Sequence, residues 1–189
     1  MCSVFAYAIE SLTLFFLHRN VQLSFYASGF SLTNEKVSQA GILLILSSVV
    51  FNLINVWMEE GVFRGLFTKI LEGLSYRKSL FFIAFLFGIW HLVMPLRDYL
   101  QGESSLVNLI VMGIGYVILA GMMSIKWSLL YKMTGSLWFG LGDHFFNNLA
   151  SNLVHVISNS EADGLQIVRI LLWQLLSFAI VLWVYQKKN

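Results

Sequence analysis

The chain has 189 residues, of which 58% are hydrophobic and only 12% charged. A soluble domain carries about 25% charged residues, so this composition excludes an ordinary soluble domain and points to a polytopic membrane protein. The net charge of +2 gives no basis for nucleic-acid binding, and the single Cys2 forms no internal disulfide.

A spanning helix needs about 20 mostly apolar residues. Six segments approach that requirement: about 1–17, 37–57, 79–97, 105–125, 135–158 and 166–185. The expected fold is therefore all-α, a polytopic bundle of about six membrane helices. One proline and no Gly/Ser linker leave no domain boundary, so residues 1–189 read as a single membrane domain. Within it, 1–36 is an N-terminal helix and connection, 37–158 a central core, and 166–185 a C-terminal helix.

The first segment is the weakest, because Glu10 lies inside it. It lacks a basic leader and a small-residue cleavage site, so it reads as a short membrane helix rather than a removable signal. Residues 18–36 form a polar connection with His18, Arg19, Asn34, Glu35 and Lys36. Next, Val37 to Trp57 carries no charge at all, and then Glu59, Glu60 and Arg64 follow in quick succession. Past them, Phe63, Leu66, Phe67, Ile70, Leu71 and Leu74 recur at helical spacing, with Lys69, Glu72 and Arg77 on the other side. This extension is either an amphipathic helix at the membrane surface or a continuation of the second span.

Ser79 to Leu96 is again uncharged, with His91 about 18 Å along the helix from its start and Pro95 just beyond. The fifth segment is unusually polar, with Asp143, His144, Asn147, Asn148, Ser151, Asn152 and His155. Such groups must line a cavity or pair across helices rather than face lipid. His155, towards the outer end, reads as structural. Trp57, Trp127, Tyr131, Trp183 and Tyr185 at segment ends suit an interfacial aromatic belt.

The lysine and arginine bias sets orientation. With the N-terminus inside, the inner segments hold Arg64, Lys69, Arg77, Lys78, Lys126, Lys132, Lys187 and Lys188, against Arg19, Lys36, Arg97 and Arg169 outside. Both termini are expected in the cytoplasm, at the cell membrane.

A carboxylate in a membrane-like segment is expensive and marks a functional site by default. Glu60 and Arg64 share a helical face at i, i+4, with the acid on the favoured N-terminal side. Glu59 lies about 100° around the helix from Glu60. The arginine therefore neutralises one carboxylate and leaves the other to face a cavity. The competing reading is a pair of acids solvated by headgroups at a helix end. For His91 alone, a core histidine bonded to a backbone carbonyl is the favoured reading. Phe87 lies one turn before it, and His144 and Asn148 repeat the i, i+4 spacing. Glutamate and histidine together can activate a water as general base. Histidine and asparagine can donate to a developing oxyanion. No serine or cysteine stands out as a nucleophile, so water is the better attacker. Two histidines and a glutamate also fit an open zinc site. An intramembrane proton relay is a further class, but it would more often show repeats and broken helices.

Glu59-Glu60-x-x-x-Arg64, Phe87-x-x-x-His91 and His144-x-x-x-Asn148 resemble, in order, the three motifs of the CPBP family of CAAX proteases and bacteriocin-processing or self-immunity (Abi) proteins. The Gly135-Ser136-Leu137-Trp138 lead-in is also similar to that family. The resemblance spans roughly residues 37–155. It implies an intramembrane glutamate protease acting on a peptide or membrane-protein substrate, with no metal and no cofactor. Carried over by motif, Glu59 activates the water with help from His91, and His144 and Asn148 form the oxyanion hole. Glu60 and Arg64 support the site, and Phe87 packs beneath His91. Family members commonly have more membrane helices than the six counted here, so the missing ones would precede the core. The short length fits bacterial members better than eukaryotic prenyl proteases, which argues against a CAAX substrate. The alternative is a non-proteolytic bacteriocin-immunity or binding protein that uses the same cavity.

Overall fold

The computed structural model of the protein describes residues 2–17, 20–27, 41–159 and 161–188. His18, Arg19, Asn34, Glu35 and Lys36 of the polar connection lie outside the described residues. In chain order the elements are α1 (Cys2–Phe16), β1 (Val21–Phe25), α2 (Ile42–Glu60), a π-helical turn (Gly61–Leu66), α3 (Phe67–Ile70), α4 (Tyr76–Trp90), α5 (Val93–Leu100), α6 (Leu106–Thr134), α7 (Trp138–Leu153), β2 (Val154–Ser158), β3 (Glu161–Ala162) and α8 (Gln166–Lys188). The fold is all-α with one small antiparallel sheet.

Four helical stretches are long and apolar enough to cross a membrane: Ile42–Ile70, Tyr76–Leu100, Leu106–Thr134 and Gln166–Lys188. The two remaining expected segments form shorter helices, α1 with 15 residues and α7 with 16. The second span continues through the two carboxylates to Ile70, so the extension is a continuation of the helix. The fifth segment is helical only to Leu153; Val154–Ser158 is a strand instead. Its β-branched Val154, Val156 and Ile157 favour that state. A partner strand is supplied by the connection before α2, where Val21–Phe25 pairs with Val154–Ser158 in antiparallel register.

The helix from Tyr76 is interrupted at His91 and Leu92 for a reason that lies four residues on. Pro95 has no N–H, and its ring crowds the carbonyl of residue 91. The chain tightens there instead: the His91 carbonyl accepts from Met94 N–H at 3.3 Å, and Leu92 N–H bonds Ile89 O at 3.0 Å. His91 thus closes α4. At the other end of the hydrophobic run, α6 starts on Ser105, whose hydroxyl accepts from Asn108 N–H, and stops on Gly135 at φ 66°. The left-handed backbone there is one that glycine adopts without steric cost.

The chain forms two compact units, Met1–Trp57 with Gly142–Ala179, and Met58–Leu141 with Ile180–Asn189. In the second unit α4 and α6 pack closely. A Cβ on Gly88 would lie 2.7 Å from the backbone oxygen of Val117, so only glycine permits that approach. The core beside this contact is Phe63, Ile83, Phe87, Ala120 and Trp127. Trp127 is fully buried rather than interfacial, whereas Trp57 and Trp183 are exposed.

The first unit is tied by buried charge. Arg169 of α8 bonds Glu10 of α1 at 2.5 Å and Asp163 at 2.9 Å. Glu10, which made α1 look weak as a span, is therefore the buried partner of a cation. His155 bonds Asp163 through Nδ1 at 2.5 Å and stacks on Tyr26 with ring centroids 3.9 Å apart. Its role is structural, as expected. Tyr7 O–H reaches the carbonyls of Ala150 and Val154, each at 2.9 Å, which fastens α1 to the end of α7.

Asp163 lies in the turn before α8 and accepts from Val156 N–H at 3.0 Å. Burial alone would raise its pKa. The bond to His155, the Arg169 charge and the Val156 N–H outweigh burial and hold it below the usual carboxylate value. A depressed carboxylate stabilises the fold above its unfolded pKa and loses that contribution as pH falls through the folded one. Asp163→Asn should therefore lower the thermal unfolding temperature in detergent at neutral pH. The gap to the wild type should close as pH falls below about 4, the unfolded aspartate value. A gap of equal size at every pH would contradict this linkage.

Candidate active site

The carboxylates sit at the C-terminal end of α2, where the backbone changes from α to π. Phe67 N–H reaches back to Val62 O, a five-residue step. A single π turn inside an α-helix widens the coil by one residue and is found mostly at functional sites. Here it follows directly on Glu60 and carries both Phe63 and Arg64 inward, where each is buried.

Arg64 is 1% exposed and pairs with Glu60, also 1% exposed, with Nη1 3.3 Å from Oε1. Its guanidinium carbon lies 4.5 Å from the centre of the Phe87 ring and 5.1 Å from that of Trp127. Among the described residues, Nε and Nη2 have no hydrogen-bond partner. Aromatic faces and the paired Glu60 carboxylate, with the charge of the adjacent Glu59 also acting on it, therefore hold the guanidinium. A desolvated cation over an aromatic face gains about 2 kcal/mol. Gly140 completes the pocket: a Cβ there would stand 3.3 Å from Glu60 Oε2 and 3.4 Å from Trp127 Cβ.

Phe87 serves both sides of the site. Its ring meets Phe63 edge-on at 4.9 Å and Trp127 at 5.9 Å, and its carbonyl meets His91 Nδ1 at 2.8 Å. A carbonyl only accepts, so Nδ1 carries the proton, and in the neutral ring Nε2 is the basic nitrogen. The carbonyl bond that would mark a core histidine is thus present. It also fixes the tautomer that a proton acceptor needs. The two rings lie 4.6 Å apart, which places Phe87 against the imidazole.

Glu59 is buried, and its Oε1 accepts from Trp90 Nε1–H at 3.2 Å. Within this unit the ion pair to the arginine is made by Glu60, while Glu59 accepts from an indole. Glu59, Glu60, Arg64, Phe87 and His91 all belong to the unit built on Met58–Leu141. His144 and Asn148 belong to the other unit, on α7. His144 is 2% exposed. Asn148 is half-buried and accepts from Asn147 Nδ2–H at 3.4 Å. None of the polar groups of α7 is exposed: Asn147 and Asn152 are buried, and Asp143 and Ser151 are half-buried. Asn152 donates to Asn52 at 3.2 Å, and Asn52 donates to Ser48 O at 2.8 Å.

Three site contributors escaped the sequence reading: Trp90, Trp127 and Gly140. Trp90 carried a weak signal, an indole N–H in an uncharged segment, which here finds Glu59; Trp127 carried none, since a tryptophan at a segment end reads as interfacial. Gly140 carried none, because its function is the space it leaves. No three His, Cys, Asp or Glu side chains converge as metal ligands among the described residues.

A family model described as "Type II CAAX prenyl endopeptidase Rce1-like" matches residues 41–150 of the chain. No curated protein and no solved structure matches it. The matched stretch contains Glu59, Glu60, Arg64, Phe87, His91, His144 and Asn148. The Glu60–Arg64 pair makes the first test of the site. Glu60→Gln removes the paired countercharge of a buried guanidinium, and should destabilise the protein by about 3 kcal/mol. Thermal or denaturant unfolding in detergent measures this. A variant as stable as the wild type would remove the supporting role.

Proposed function

The chain belongs to the type II CAAX prenyl endopeptidase Rce1-like family, membrane proteases that hydrolyse peptide bonds, and from that premise we propose how this chain does so. Glu59 takes a proton from a water molecule, with neutral His91 as the second acceptor that aligns it. The hydroxide adds to the scissile carbonyl carbon. His144 and Asn148 donate hydrogen bonds to the oxyanion that forms, which is worth most in a site sheltered from water. The C–N bond then breaks, and the proton held by Glu59 passes to the departing nitrogen. The products are one carboxylate and one amine, and Glu59 is regenerated.

The observation that carries this reading is the division of labour between adjacent acids. Arg64 makes its ion pair with Glu60, and Glu59 accepts from the Trp90 indole. The His91 tautomer set by Phe87 supports its role as acceptor. The assignment of His144 and Asn148 rests on motif order and on their i, i+4 spacing on α7. The substrate we propose is a membrane-associated peptide or membrane protein, reached from the lipid bilayer or the cytoplasmic face. Processing of a bacteriocin or signal peptide, or self-immunity to one, is the biological role proposed. Both termini face the cytoplasm in this reading, and the whole chain works as one membrane domain.

The test uses purified protein in lipid nanodiscs and a quenched-fluorescence peptide ending in a farnesylated CAAX sequence, beside the same peptide without the lipid. The wild type should cleave at least one of the two. Glu59→Ala, His91→Ala and His144→Ala should each lower kcat by about 100-fold or more with the fold intact. Variants that cleave normally would overturn the assignment. The same preparations should carry no stoichiometric zinc by elemental analysis. One zinc per chain, with activity lost to a chelator and restored by the metal, would replace the glutamate reading with a metal one.

A further inference from the structure

The functional reading assigns nothing to the polar residues of α8, yet one of them is completely buried. Gln174 is 0% exposed, and it lies outside the stretch that the family model matches. Its Nε2–H donates to Asn147 Oδ1 on α7. Asn147 is itself buried, and its Nδ2–H donates to Asn148 Oδ1 at 3.4 Å. On α8, Ser177 O–H caps the Gln174 carbonyl at 3.2 Å, which ties the helix turn that presents the glutamine. All four residues belong to the same unit.

A carboxamide has two unlike ends, an oxygen that only accepts and an NH2 that only donates. A row of them therefore has a direction. Gln174 spends its NH2 on the Asn147 oxygen, so the Asn147 NH2 must face Asn148. Asn148 answers with its oxygen, which turns its own NH2 away from Asn147. Reversing any link would reverse the next. Asn148 would then present an oxygen where it now presents a donor, and an oxygen repels a developing oxyanion.

We infer that Gln174 is a positioning residue: through Asn147 it fixes the direction of the Asn148 carboxamide so that the NH2 is the end offered for hydrogen bonding. This inference rests on the proposed role of Asn148 as an oxyanion donor. It adds a residue of α8 to a set of residues that otherwise lie before Leu153.

The experiment is a double-mutant cycle between Gln174 and Asn148 in nanodiscs, read with the two quenched peptides above. Gln174→Met keeps length and apolar volume but removes the donor. It should lower kcat by about 10-fold with KM little changed, because the fault is one of orientation. Asn148→Ala should lower kcat by about 100-fold, and Gln174→Met should then cost nothing more. Gln174→Glu accepts only when ionised and regains a donor when protonated. Its deficit relative to the wild type should therefore shrink as pH falls. A Gln174→Met loss that persists undiminished in the Asn148→Ala background would assign Gln174 to general stability and overturn the inference. Full activity of Gln174→Met beside an impaired Asn148→Ala would also overturn it, while leaving the oxyanion reading intact. Full activity of Asn148→Ala would instead sink the oxyanion reading. A readout independent of substrate completes the test. The side-chain amide resonance of Asn148, identified by its loss in Asn148→Ala, should shift in Gln174→Met, and an unmoved resonance would overturn the coupling.

Discussion

A guanidinium buried to 1% exposure, paired with a carboxylate and faced by aromatic rings, is the constraint on which the candidate site depends. Burying a charge costs several kcal/mol unless the surroundings answer it. Here the answer is distributed. Glu60 supplies the countercharge, Phe87 and Trp127 supply polarisable faces, and Gly140 leaves the space that Glu60 and Trp127 share. Each of these residues is thereby fixed by something other than its own helix. The π turn after Glu60 belongs to the same solution, since it brings Phe63 and Arg64 into the core together. Glu60 makes the ion pair with Arg64, and the adjacent Glu59 differs from it in accepting from the Trp90 indole.

Phe87 carries the consequence to the histidine. Its ring is part of the arginine's cage, and its carbonyl takes the His91 Nδ1 proton. A change that loosens the cage therefore reaches the tautomer of the candidate acceptor. Pro95 contributes from the other side. By ending α4 before His91, it leaves the imidazole on the residue that caps a helix, next to a backbone that has already left the regular path.

Much of this was legible in the sequence, for a physical reason. Charges and histidines are costly in apolar segments, so the few that exist stand out, and i, i+4 spacing assigned Glu60 to Arg64 without coordinates. The helical fold followed from hydrophobic run lengths in the same way. What escaped depended on shape or on distant pairing. Trp127 looked interfacial because it lies at a segment end, but a tryptophan at the end of an apolar run reads alike whether it faces headgroups or a buried arginine. Val154–Ser158 looked like the end of a helix, because apolar runs do not distinguish helix from strand until a partner strand is known. That partner, β1, lies in a connection whose polar residues concealed it. The row from Gln174 through Asn147 to Asn148 was also invisible, since nothing in a sequence links a glutamine in one hydrophobic helix to an asparagine in another. The α7 polar groups were expected to avoid lipid, and they are buried or half-buried.

The central claim is that Glu59 activates a water directly. Single-turnover cleavage, in ¹⁸O-labelled water, of whichever of the two peptides the wild type cleaves, with rapid quenching and intact-mass analysis of the chain, tests it most directly. The account predicts one heavy oxygen in the new carboxylate and an unmodified wild-type chain. It also predicts that Glu59→Gln binds the peptide yet forms no product. An acyl adduct on the chain, or product from Glu59→Gln at the wild-type rate, would contradict it.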